Sequence, residues 1–268
     1  MTNDQHRILE LDALRGLAAL AVVSFHFTCR FDGLFGHATP LRFSVPLGEY
    51  GVDFFFILSG FVILMTLDRT ASAGEFAVGR FARLYPAYWA AAALTFAVVQ
   101  CCGLPGQAVS VGEAVVNATM LQHLLGAPHI DGAYWSLEVE LLFYGAILAL
   151  DRAGALRVTH WPATLAIWLA LATAAQFAVN QPPPATLMEP TWPFGLVTKL
   201  QTALSLKYLH LFAIGIVLYR VRCAGGRSRV AWLILIWCVE LQVLADSWLA
   251  AGLVVLMTVV LRAAVDGR

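Results

Sequence analysis

Residues 11–31 read LDALRGLAALAVVSFHFTCRF, an apolar run long enough to cross a bilayer and interrupted by Asp12, Arg15 and His26. Ionisable side chains at membrane depth are unfavourable unless they face a protein interior or a wet cavity, so each marks a candidate functional position. Arg15 and His26 are eleven positions apart. At 3.6 residues per turn this separates them by about 20° around a helix and roughly 16 Å along it. They share one face at two depths, and that face reads as the wall of a path through the membrane.

The rest of the chain has the same character. Of its 268 residues 60% are hydrophobic and 13% charged, with a mean hydropathy of +0.74. That composition belongs to a polytopic membrane protein, and the expected fold is an all-α transmembrane bundle forming one domain over residues 1–268. Apolar segments predict eight spans, near 11–31, 50–67, 84–99, 135–150, 161–179, 204–219, 230–245 and 248–261. The last two are tightly linked and read as a hairpin. Between the third and fourth, Val111, Ala114, Val115, Ala118, Leu121 and Leu125 recur at helical spacing, which predicts an amphipathic or re-entrant helix over 109–125 on the outer side. Residues 68–83 read as a basic connection, and Pro182, Pro183 and Pro184 mark the link between the fifth and sixth spans as non-helical.

With eight spans and a cytoplasmic N-terminus, twelve arginines fall inside, Arg69, Arg80, Arg83, Arg152 and Arg157 among them. Four basic residues, Arg30, Arg42, Lys199 and Lys207, fall on the other side. This is a positive-inside distribution. Net charge is zero and no long basic run is present, so nucleic acid is not an expected partner. The five cysteines have no metal-ligand spacing and no metal is expected.

His26 has two readings, a hydrogen-bonded interior histidine or a general base able to take a proton from a hydroxyl near neutral pH. An acyl-imidazole intermediate is the nucleophilic variant of the second. Arg80 and Arg83, three apart, share a helical face before Pro86, where they serve either as a phosphate-binding pair or as a topology signal against lipid headgroups. Glu138 and Glu140, two apart near the outer end of the fourth span, point to different faces. Glu140 is the deeper and the better catalytic candidate, and Glu138 reads as solvated or interfacial. Asp53 stands at the outer end of the second span, paired with Arg30 or Arg42 or lining the cavity.

Four stretches in this order resemble the acyltransferase 3 family of integral membrane O-acyltransferases. They are LDALRGLAAL at 11–20 with His26 after it, GVDFFFILSGF at 51–61, RFARLYPAYW at 80–89, and Trp135-Ser136-Leu137 followed by Glu140 and Phe143-Tyr144. The resemblance implies transfer of an acyl group, commonly acetyl, from cytoplasmic acyl-CoA to a hydroxyl of a carbohydrate, lipid-linked glycan or other cell-envelope acceptor. The setting it implies is a bacterial cytoplasmic membrane, with acyl-CoA as a donor substrate and no permanently bound cofactor. His26 and Arg15 match the family's essential histidine and arginine, Arg80 and Arg83 its paired donor-handling arginines, and Glu140 its acidic residue. Glu140 is then expected to assist His26, while Asp12, Asp53, Ser59, Trp135 and Tyr144 line the substrate cavity. Family members commonly continue through further spans, which this chain is expected to lack. Two other functions fit the same residues: a proton-coupled transporter relaying protons through His26 and Glu140, and an intramembrane serine protease using Ser59 with His26.

Overall fold

The computed structural model describes residues 8–39, 41–103, 109–180, 206–225 and 228–266, and among these every regular element is helical. The proline-rich connection at 182–184 and the first two residues of the sixth expected span lie outside the described residues. The principal α-helices are α1 Leu9–Phe25, α2 Phe31–Phe35, α3 Gly51–Leu67, α4 Ala73–Cys102, α5 Val111–Asn117, α6 Trp135–Arg152, α7 Trp161–Asn180, α8 Leu209–Ala224, α9 Arg229–Ala245 and α10 Trp248–Asp266. Among the described residues, six helical stretches are long and apolar enough to cross a membrane: Leu9–Phe35, Pro46–Leu67, Ala73–Cys102, Gly132–Arg152, Trp161–Ala178 and Trp248–Asp266. The chain is an integral membrane protein by this measure and by its composition. Helices α8 and α9, at the sixth and seventh expected spans, have 16 and 17 residues. At 1.5 Å per residue they measure about 24 and 26 Å, short of a hydrocarbon core of about 30 Å.

The chain divides into two compact units. The first comprises residues 1–64, 162–176 and 208–268. Its innermost element is α8, in which every residue from Leu209 to Tyr219 is buried. A helix apolar all round needs partners on every side. Its tightest neighbour is α3: a Cβ added to Gly60 would lie 2.1 Å from the Phe212 carbonyl oxygen, and one added to Gly215 would lie 2.1 Å from that of Ile57. The two glycines let the backbones touch, the small-residue device by which apolar helices associate where lipid gives no hydrophobic drive. Aromatic rings flank the crossing, with Phe56 against Phe212 at 4.8 Å and Phe61 edge-on to Tyr219 at 5.4 Å. The α9–α10 pair is joined by two residues, Asp246 and Ser247, and forms the expected hairpin.

The second unit comprises residues 65–161 and 177–207. Here α4 departs from expectation, because the basic stretch 73–83 is helical and continuous with the expected third span. Its start is a capping arrangement: Ser72 Oγ accepts from Glu75 N at 3.1 Å, and the Glu75 carboxylate accepts from Ala71 N at 2.9 Å. Helix α4 runs 30 residues through Pro86 and closes on Gly103 in the left-handed conformation. At about 45 Å it is longer than a bilayer core requires.

The helix expected over 109–125 is only seven residues long, Val111–Asn117, with its own capping box from Ser110 and Glu113. Beyond it the chain turns, with Met120 at φ +62° and Gly126 at φ +79°. The segment is re-entrant along α4. Gln100 Nε2 donates to the Val109 carbonyl at 2.7 Å, while Tyr85 donates to that of Thr119 at 2.9 Å. Residues 100 and 85 are about 22 Å apart on the helix axis. The chain then climbs back, so that the Tyr134 hydroxyl meets Thr95 Oγ1 at 3.0 Å.

Candidate active site

Helix α1 is one continuous rod from Leu9 to Phe35, but its hydrogen bonding widens into a π turn over His26–Arg30 before α2 resumes. Such turns inside α-helices recur at functional positions because they re-aim side chains. Leu17, Leu20 and Phe27 are exposed, as lipid-facing apolar residues are, whereas Leu11 and Ala18 are buried and Arg15, Val22 and His26 are half-buried. Arg15 and His26 therefore lie on the inward stripe, as their spacing predicts. His26 Nδ1 lies 2.8 Å from the Val22 carbonyl oxygen. A carbonyl only accepts, so Nδ1 carries the proton and neutral His26 presents its lone pair at Nε2. That is the tautomer a general base requires.

The segment beginning at Pro46 packs antiparallel on α1, with Gly48 against the Ala21 carbonyl and Gly51 against that of Ala18. This register, 48 with 21 and 51 with 18, carries Asp53 to the level of Gly16, beside Arg15 in the chain. Asp53 does not rest on the arginines considered for it alone: its Oδ2 accepts from Gln242 Nε2 at 3.3 Å, and Gln242 Oε1 in turn bonds His210 Nε2. Ser59 is buried immediately before the Gly60 crossing, and Asp12 is half-buried on α1.

In the second unit Arg80 lies over two neighbouring aromatic rings, its guanidinium carbon 5.7 Å from the Phe76 ring centroid and 5.8 Å from that of Tyr144. Its buried Nε and Nη1 have no hydrogen-bond acceptor among the described residues. The Tyr144 hydroxyl donates to the Glu140 carboxylate, and Tyr144 feels the charges of Glu140, Arg80 and Arg83 together. Arg80, Arg83, Glu140 and Tyr144 thus form one charged cluster, with two cations and one carboxylate. Trp135 opens α6 at the residue expected.

Glu138 is corrected by the structure. It is 2% exposed, and its carboxylate accepts the backbone N–H of His123 at 3.2 Å and of Leu124 at 2.9 Å. The re-entrant segment has non-helical backbone that must be satisfied by protein, and Glu138 is one of the groups that does so. Asn117 does the same from within the segment, donating to the Glu113 and Pro128 carbonyls and accepting from Ile130 N. Tyr88, Trp89 and Tyr85 donate to the consecutive carbonyls of Asn117, Ala118 and Thr119. They cap the end of α5 from a neighbouring helix. Gln122 Nε2 lies 2.7 Å from His129 Nδ1, and burial pushes the His129 pKa down.

A family model described as an acyltransferase domain, that of acyltransferase 3, matches residues 8–261. The chain belongs to the acyltransferase 3 family. Among similar proteins is "Acyltransferase MdmB" of Streptomyces mycarofaciens, 33% identical over 147 residues that make up 52% of this chain and 38% of that one. "Protein 2 in picA locus" of Rhizobium radiobacter is 30% identical over 195 residues, covering 64% of this chain and 96% of the relative. "Putative acetyltransferase ORF330" of Acidianus two-tailed virus is 27% identical over 144 residues, covering 54% and 41%. The chain thus matches less than half the length of two of these relatives. No solved structure matches it.

Within the family frame, the residues that sequence reading missed are Gln242, His210 and Phe76. The first two carried a usable signal, being polar residues within apolar helical runs. Phe76 carried none, since a phenylalanine among apolar residues reads as packing until the arginine beside it is placed.

Proposed function

We propose that this acyltransferase-family chain is a membrane O-acyltransferase that moves an acyl group, acetyl in the simplest case, from cytoplasmic acyl-CoA to a hydroxyl of a cell-envelope carbohydrate or lipid-linked glycan. The observation that carries this reading is the tautomer of His26. Its Nδ1 is committed to the Val22 carbonyl, and its Nε2 is left to accept a proton on the face of α1 that also bears Arg15.

In this reading the acceptor O–H gives its proton to His26 Nε2 as the oxygen attacks the thioester carbonyl. The C–S bond breaks, and the departing CoA thiolate recovers the proton from the imidazolium. Arg15 supports charge on the thioester oxygen. The CoA phosphates bind Arg80 and Arg83, whose planar guanidinium donors suit phosphate oxygens. The two aromatic rings beside Arg80 and its unsatisfied N–H groups support this assignment. Glu140 accepts from the Tyr144 hydroxyl, so we assign it to orienting the ring beside Arg80. The reading includes an N-terminus on the cytoplasmic side of a bacterial inner membrane, with α8 and α9 completing eight membrane-embedded helices.

Mass spectrometry of envelope glycans from cells with and without the chain tests the proposal. The expected result is a mass increment of one acyl group that depends on the chain. Identical glycans together with proton-coupled solute flux in vesicles lacking CoA would replace it with the transporter reading.

A further inference from the structure

His210, Gln242 and Asp53 sit at one end of the first unit. Asp53 is the third residue of α3, His210 the second of α8, and Gln242 the fourth from the end of α9. Tyr50, just before α3, reaches Asp246 and Ser247 in the turn after α9, which fixes the same end independently. His210 is 1% exposed and Gln242 3%.

The order of donors along this chain is determined. An ionised carboxylate only accepts, so the group that Gln242 turns toward Asp53 is its Nε2. Gln242 Oε1 then faces His210 and accepts from Nε2–H. Neutral His210 is therefore protonated at Nε2 and keeps its lone pair at Nδ1, the opposite tautomer to His26. Nδ1 is buried and has no hydrogen-bond donor among the described residues. Buried acceptors are nearly always satisfied, and a three-residue network that fixes a ring only to leave its lone pair unused would be unfavourable twice over.

We propose that His210 Nδ1 is the receptor of a hydroxyl-binding site: an O–H group, from a substrate alcohol or from a water, donates to it. We assign an O–H donor because a hydroxyl is the smallest neutral donor that one buried lone pair can hold beside aromatic rings, Phe56 being packed on Tyr208 and Phe212. The register of α3 on α1 brings Asp53 to the depth of Gly16, so this end of the unit also carries Arg15. If the occupant is an alcohol, it is a second hydroxyl of the acylated acceptor, which selects polyhydroxylated substrates; that source rests on the proposed transferase reading.

Nitrogen-15 NMR of the histidine-labelled full chain in liposomes tests the site, with the His210 signals assigned by difference from His210→Gln. The expected result is an Nε2-protonated ring whose Nδ1 resonance is shifted upfield by an accepted hydrogen bond. A ring protonated at Nδ1, or an Nδ1 resonance at its free lone-pair position, overturns the proposal. The source is read in membrane vesicles supplied with radiolabelled acetyl-CoA. His210→Gln keeps a donor for Gln242 but lacks the Nδ1 acceptor. An alcohol occupant predicts about a tenfold loss of label transfer to glycan, the loss of one hydrogen bond, with the KM for acetyl-CoA unchanged. Undiminished transfer assigns the bonded Nδ1 to water. Should His210→Gln not fold, His210→Phe, which keeps a planar ring but has no acceptor at the Nδ1 position, serves for both arms. A wild type that transfers no label sinks the transferase reading alone, because the NMR result stands without it.

Discussion

The two units handle polar groups in an apolar chain in opposite ways. In the first, helices meet through glycine at the Gly60–Gly215 crossing, and polar side chains such as Asp53, Gln242 and His210 bond one another. In the second, a re-entrant segment has lost part of its helical hydrogen bonding, and Tyr85, Tyr88, Trp89, Gln100, Asn117 and Glu138 are committed to its backbone. This difference decides which polar residues are open to chemistry. A buried carboxylate that caps backbone N–H groups is committed to structure, whereas an imidazole with one nitrogen bonded to the backbone keeps the other for a candidate site.

The largest effect is expected at the glycine crossing. Gly215→Ala places a methyl group about where the Ile57 carbonyl stands, 2.1 Å away, and no flexible side chain can give way. We expect a loss of about 3 kcal/mol or more, at the upper end of overpacking effects. Thermal unfolding in detergent measures it, and a melting temperature equal to wild type would show that the backbones do not touch there.

The two glutamates of α6 sharpen the contrast. Glu138→Ala leaves the His123 and Leu124 N–H groups without their acceptor, and should destabilise the protein by about 2 kcal/mol. Glu140→Ala removes the half-buried carboxylate that Tyr144 engages. It should leave the melting temperature within a few degrees of wild type while raising the KM for acetyl-CoA. Paired melting curves and acetyl-CoA titrations of the two variants check both halves; the reverse pattern would exchange their roles.

The smallest effect is in pH. Burial lowers the His129 pKa below its ordinary 6.5. Between the folded value and 6.5 the unfolded chain binds more protons, so stability falls as pH drops through that window and is retained above it. Melting temperatures at pH 7.5 and pH 5.5 should differ less in His129→Gln than in wild type.

Much of this fold was legible from composition and apolar periodicity, because spanning segments announce themselves by length. The α4 start at Ser72 and Glu75 was legible too, as a capping signature, yet the arginines after it look like a connection when hydropathy alone is followed. The shortness of α5 was not, since Met120 in the left-handed region and the three carbonyls capped from α4 are tertiary facts. At the site, the shared face of Arg15 and His26 followed from their spacing. The tautomer of His26 did not, because the π turn that begins at it has no sequence mark.

The most direct test of the account is the initial rate of acyl transfer from radiolabelled acetyl-CoA to envelope glycans in membrane vesicles, comparing wild type with His26→Ala at matched expression and melting temperature. A fall of about 100- to 10,000-fold is expected, the range for loss of a general base. An unchanged rate in the folded variant would contradict it.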